Sequence, residues 1–237
     1  MADDPQQDTP NTTTLATQTL KGSADCFCNG TGEPKVHSKR DGWESHLAYT
    51  FCQCVAGQNS HYGPIWNQVG IPPHFQDFTL ESSPHILDVD PHSWLYLHGP
   101  VGRGKTGLAV GWARKLIWDG SVASALFIKV PRLLNDIRAS YGRDKSNEDV
   151  LKPSIETDLL ILDDLGSINA SNIDWLTEVM YLILDSRHDN HRTTIITCNR
   201  TLIEVGELIG FQNAWRIQEM CGDNGIIELN GANLRDK

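Results

Sequence analysis

The chain has 237 residues, of which 39% are hydrophobic and 21% charged, with a formal net charge of −10. That size allows one full α/β domain plus a small appendage, and the acidic balance excludes a basic protein that coats nucleic acid, though not a local binding patch. No apolar run reaches the roughly 18 residues of a membrane span, and the start MADDPQQDTPNTTTLATQTL lacks the basic and apolar segments of a signal peptide. Six cysteines without an export signal suggest a reducing cytoplasm, with thiols or metal rather than disulfides.

Residues 1–22 are rich in Thr, Gln, Asp and Asn, and this composition predicts a disordered tail. Residues 23–57 form a cysteine-rich module with two C-x-C pairs, Cys26 with Cys28 in DCFCNGTGE and Cys52 with Cys54 in FCQC. Four thiolates can close a tetrahedral zinc site, and a metal suits a segment with too few large apolar groups for a core of its own. The C-x-C spacing is tighter than the usual C-x₂-C knuckle, so His37 or His46 stands as a replacement ligand, and free reduced thiols are the plain alternative. Cys198 and Cys221 are isolated and read as small packing residues. Residues 58–92, with GQNSHYGPIWNQVGIPPHFQDF, contain too much Gly, Pro, His and Asn for one regular element. They read as a connector and the N-terminal edge of the next domain.

From residue 93 to residue 237, short β-type runs alternate with helical stretches. WLYLH (94–98), ALFIKV (125–130), LLILD (159–163), TIITC (194–198) and IIEL (226–229) have strand length. Leu108, Trp112, Leu116 and Ile117 form a helical stripe, as do Ile173, Leu176, Val179, Met180 and Ile183. PRLLNDIRASY opens on Pro131, a favourable first helical residue. The pattern predicts an α/β fold whose five-stranded parallel sheet is covered by helices on both faces.

Gly99-Pro100-Val101-Gly102-Arg103-Gly104-Lys105-Thr106, followed by Gly107, fits GxxxxGK[ST], the P-loop. Glycines let the chain curl so that backbone N–H groups point at phosphate oxygens, and the helix that follows adds its positive end. Lys105 would reach the β- and γ-phosphates, and Thr106 would give its hydroxyl to Mg²⁺. LLILDDLG (159–166) is an apolar strand ending in two acids, the form of a Walker B element. Asp163 would hold Mg²⁺ through water, and Asp164 would orient or deprotonate the attacking water. Asn199, at the end of TIITCNR, stands where it could touch the γ-phosphate or that water.

With these motifs in order, the stretch from GIPPHFQDFTLES through LFIKVPRLLNDIRASY, LLILDDLG, TTIITCNRTLIEVGELIG and AWRIQEMCG resembles the DnaC-type AAA+ ATPases. That family includes bacterial and phage helicase loaders and the related IstB transposition helpers. The resemblance covers residues 70–237. It implies a P-loop AAA+ core with the P-loop strand central, no C-terminal lid, a sensor role for Asn199, and ATP-dependent assembly on DNA. It also gives Arg216 the role of an arginine finger acting on a neighbouring subunit's ATP, against the plain reading of an exposed arginine on a helix over 212–220. Asp164 stands where many AAA+ proteins carry Glu. In this family the region after the second strand lines the path of single-stranded DNA, which here offers Arg132, Arg138, Tyr141, Arg143 and Lys145. A solvated helix face reads these residues equally well.

A zinc module with little positive charge favours a protein partner. The leading expectation is therefore an ATPase that loads or remodels a replicative DNA helicase and contacts single-stranded DNA, as an ATP-dependent oligomer. An IstB-like transposition helper and a non-hydrolysing nucleotide-dependent adaptor are the alternatives. The cysteine spacing makes one prediction directly: purified protein holds about one Zn²⁺ per chain through Cys26, Cys28, Cys52 and Cys54, and a chelator removes it without loss of ATP binding. Elemental analysis in reducing buffer is the check, and a metal-free protein defeats the expectation.

Overall fold

The computed structural model describes residues 35–41, 44–50, 68–76, 78–80, 89–141, 147–168 and 173–230. The N-terminal tail, the four cysteines expected at zinc, Arg143 and Lys145 lie outside these. Two antiparallel strands, β1 (Lys35–Asp41) and β2 (Glu44–Thr50), pair with Lys35 opposite Thr50 and Asp41 opposite Glu44. The chain thus enters and leaves this hairpin at the same end.

The main sheet consists of β3 (Leu95–His98), β4 (Ala125–Lys129), β5 (Leu159–Asp163), β6 (Thr194–Cys198) and β7 (Ile226–Glu228), all parallel, in the order β4-β5-β6-β3-β7. The middle strand is β6. The P-loop strand β3 is interior but off centre, which corrects the expected central position: β7 is added beyond it, with Tyr96 paired to Ile226. Among the described residues six α-helices are delimited beside the sheet: α1 (Lys105–Trp118), α2 (Val130–Ser140), α3 (Asn147–Glu156), α4 (Ile173–Asp189), α5 (Leu202–Ile209) and α6 (Phe211–Cys221).

Alternation along each strand divides the core in two. Leu95, Leu97, Leu159, Ile161 and Ile195 pack with Leu108, Trp112 and Leu116 of α1. Tyr96, Leu160, Leu162 and Ile196 pack instead with Leu133 and Ile137 of α2, Leu176, Met180 and Ile183 of α4, and Ile217 of α6. Every residue of β5 and β6 is buried, as a parallel sheet covered on both faces requires. Each fully buried Leu or Ile contributes about 1.5–3 kcal/mol. Burial also pushes the thiols of Cys198 and Cys221 up, that of Cys221 to about 12, so both act as packing groups. No helix of the described residues is long and apolar enough to cross a membrane.

Several boundaries shift from expectation for local reasons. Trp94 precedes β3 because its backbone N–H and its indole are both committed elsewhere, to the Met220 carbonyl at 2.9 Å and the Arg192 carbonyl at 2.8 Å. Strand β4 ends at Lys129 because Val130 and Pro131 begin α2. Helix α6 reaches one residue further at each end than 212–220. Two helices were not anticipated. Helix α3 contains Pro153, normally a breaker. Helix α5 is short but opens on a capping box, in which the Thr201 hydroxyl accepts from the Glu204 N–H and Glu204 accepts from the Thr201 N–H.

The C-terminal end of α3 is closed by a fully buried arginine of α4. Arg187 donates to the carbonyls of Ser154 (3.0 Å), Ile155 (3.3 Å), Thr157 (2.8 Å), Asp158 (3.1 Å) and Thr193 (2.5 Å), and to the Thr194 hydroxyl at 2.8 Å. Arg192 adds a second donor to the Ile155 carbonyl at 2.6 Å. Carbonyls at a helix end have no intrahelical partner, and the planar fork of one guanidinium satisfies several at once. Arg187→Leu should lower stability by about 3 kcal/mol or more by stranding these buried acceptors, and Arg187→Lys should fail to restore it. Urea unfolding is the measurement; a wild-type midpoint in either variant would show that the carbonyls find other partners.

Candidate functional site

The carboxyl ends of β3, β5 and β6 surround a cleft of about 420 Å³. One wall is the loop after β3. Gly102 and Gly104 adopt φ of 81° and 82°, a left-handed conformation that only residues without a Cβ take up readily. This curl ends at Gly104, the N-cap of α1, and no side chain caps the helix there. The first N–H groups of α1 can therefore serve a bound anion. Lys105 lies folded along the loop, its Nζ donating to the carbonyls of Gly99 at 2.7 Å and Pro100 at 2.8 Å.

The opposite wall carries the acids. Asp163, at the end of β5, is 4% exposed. Its Oδ1 accepts from the Thr106 hydroxyl of α1 at 2.7 Å and from the Thr197 hydroxyl of β6 at 2.8 Å. A hydroxyl and a carboxylate so close together at a phosphate-sized loop are the hard oxygen ligands that Mg²⁺ prefers, so Thr106 and Asp163 fit that ion. Asp164 follows in the left-handed region, at φ 63° and ψ 46°. Its N–H donates to the Thr197 hydroxyl at 2.9 Å, and its carboxylate accepts from the Ser167 hydroxyl at 2.5 Å. Asn199 also lines the cleft. A Cβ on Gly166 would lie 1.8 Å from Asn199 Oδ1, so a larger residue there would displace the Asn199 side chain from its place beside the loop after β5.

Gly102 to Gly107, Asp163, Asp164 and Asn199 thus face one cleft, whereas Arg216 stands apart from it. Arg216 projects from α6 to Asp185 of α4, with an Nη2–Oδ1 distance of 2.5 Å, and stacks over Tyr181 at 4.7 Å. Among the DNA-contact candidates, Arg132 pairs with Asp136 of its own helix at 3.8 Å. Arg138 lies 4.6 Å over the Trp175 ring, and the Trp175 indole donates to the Tyr141 hydroxyl at 2.8 Å. Arg138, Tyr141 and Trp175 therefore form one aromatic–cationic cluster joining α2 to α4, with Tyr141 53% exposed.

Five residues contribute that no sequence motif marks. Thr197 sits inside an apolar strand pattern, where its hydroxyl gives no signal of its own. His74, Phe75 and Phe78 form an aromatic rim to the cleft, with ring centroids 4.1 Å apart for His74 and Phe75 and 6.1 Å for Phe75 and Phe78. Two phenylalanines in the otherwise polar PPHFQDF were their only mark. Phe78 also explains Gly107, where a Cβ would lie 2.5 Å from the phenyl ring. Trp175 of α4 has no partner nearby in sequence that hints at Tyr141.

Comparison with known proteins agrees with this geometry. The chain is 26% identical over 212 residues to the phage-like element PBSX protein XkdC of Bacillus subtilis (strain 168), covering 76% of this chain and 74% of that protein. It is 25% identical over 114 residues to the chromosomal replication initiator protein DnaA of Streptococcus thermophilus, covering 48% of this chain but only 25% of that protein. The chain thus spans about a quarter of the initiators it matches. The crystal structure of the DnaC helicase loader superimposes with a TM-score of 0.56 at 22% identity, covering 67% of this chain and all of that one, and has the same fold. The family model for IstB-like ATP binding proteins matches residues 85–215, more than half of the chain, and the protein belongs to that family.

Proposed function

We propose that the protein binds ATP in the cleft between β3, β5 and β6, hydrolyses it with Mg²⁺, and uses the cycle to load or remodel a replicative DNA helicase. The observation that carries the reading is the convergence of Thr106, Asp163 and Asp164 beside the P-loop curl. In this reading, backbone N–H groups from Gly102 to Thr106 and the Lys105 ammonium hold the β- and γ-phosphates. Thr106 and Asp163 hold Mg²⁺, which when bound neutralises charge on the phosphate oxygens. The Asp164 carboxylate takes or orients the proton of the attacking water, and the Asn199 amide steadies that water or the γ-phosphate. The helicase assignment is supported by the fold shared with the DnaC helicase loader and by the partial match to a replication initiator.

Single-stranded DNA fits the cluster of Arg138, Tyr141 and Trp175, with a cation for phosphate and aromatic faces for bases. Zinc binding by Cys26, Cys28, Cys52 and Cys54 belongs to the same reading and rests on the two C-x-C pairs of the sequence alone. A transposition helper is the second reading, favoured by the IstB-like family match. Pull-down of the host's replicative helicase, against its transposase, separates the two.

Two sets of variants test the chemistry. Lys105→Ala should abolish ATP binding, while Asp164→Asn should keep it and lower turnover by roughly 10²-fold or more. Fluorescent-nucleotide affinity and phosphate release decide this, and normal turnover in Asp164→Asn removes that residue from the mechanism. Arg216→Ala should bind ATP almost normally and hydrolyse it slowly. Mixing it with Lys105→Ala protein should recover part of the hydrolysis, because an intact P-loop on one chain can then meet an intact Arg216 on the other. Stable mixed assemblies without recovery argue against a finger acting between subunits.

A further inference from the structure

We infer that Thr197 is a positioning residue that sets both acids of β5 through one hydroxyl. The inference rests on the hydrolysis reading above and adds to it a residue on a different strand. A threonine hydroxyl has one proton to give and lone pairs to receive. Thr197 gives its proton to Asp163 Oδ1 at 2.8 Å and receives the Asp164 N–H at 2.9 Å. It is 2% exposed, so water does not replace either contact.

The two bonds do different things. The first shares Asp163 Oδ1 with Thr106, fixing the carboxylate between the P-loop helix and β6. The second holds the backbone of Asp164 in its left-handed turn, a conformation that costs energy in a residue with a Cβ. The direction of the Asp164 carboxylate follows from that turn, and the Ser167 hydroxyl steadies it. Two residues further along the same strand end, Asn199 packs against Gly166 of the acid loop. The end of β6 therefore holds the acid loop through Thr197, through Asn199 and through Arg200, whose Nε donates to the Gly166 carbonyl at 3.3 Å, and Thr197 is the one that touches both acids.

The test compares Thr197→Val, which keeps the shape and loses the hydroxyl, with Thr197→Ser, which keeps the hydroxyl. Val should lower kcat roughly ten- to a hundredfold, the value of hydrogen bonds to a charged group, with nucleotide affinity nearly unchanged. It should also speed amide hydrogen exchange in the peptide 159–168 by releasing the Asp164 N–H. Ser should restore both. Wild-type turnover and exchange in Thr197→Val overturn the proposal, as does a Ser variant as slow as the Val variant. If Thr197→Val does not fold, Thr197→Ala takes its place in the same comparison. A wild-type protein that binds ATP without turning it over defeats the hydrolysis reading instead, and the exchange rates still decide the Thr197 contact.

Discussion

The Asp163 carboxylate lies almost fully buried at the end of a strand that is apolar on both faces, and a charge there persists only where donors meet it. Its donors come from two different elements, Thr106 at the start of α1 and Thr197 at the end of β6. The requirement to satisfy one carboxylate thus fixes the distance between the phosphate loop, the acid strand and the strand beside it. The site occupies the crevice at the carboxyl ends of the strands, where parallel α/β sheets generally bind ligands, and Asp163 is its common anchor.

Strand β6 is held at its other end by equally specific means. Arg187 bonds the Thr193 carbonyl and the Thr194 hydroxyl where β6 begins, while closing the end of α3. The middle strand of the sheet is therefore tied to its surroundings by buried side-chain polar contacts at entry and exit, in addition to its backbone pairing with β3 and β5. A shift of β6 along its axis would break contacts at both ends.

Much of this was legible in the chain itself. The five strands stand out because each is a short, mostly apolar run of strand length, and α1 because Leu108, Trp112 and Leu116 recur at helical spacing. The P-loop and the acid pair are readable because their chemistry demands fixed spacings. Helix α3 was hidden by Pro153, since its stability comes from Arg187 and Arg192 far along the chain. Helix α5 had a readable start in T-L-I-E, from Thr201 to Glu204, that the preceding strand and Asn199 overshadowed. Thr197, Phe75 and Phe78 gain their meaning from proximity alone, which no local pattern encodes. The partner of Arg216 belongs to the same class: Asp185 is one acid among many until α4 and α6 pack together.

The left-handed turn at Asp164 has a consequence for which acid can stand there. Asparagine and aspartate visit that region far more readily than longer side chains, because their short polar groups bond locally, as Asp164 does with Ser167. Many AAA+ proteins carry glutamate at the equivalent place. In this chain the left-handed backbone at position 164 favours aspartate over its longer homologue. Gly166 lies in the same loop against Asn199, where a Cβ would run into the Asn199 side chain. Exchanging the acid for its longer homologue therefore changes the shape of the loop as well as the reach of the carboxylate.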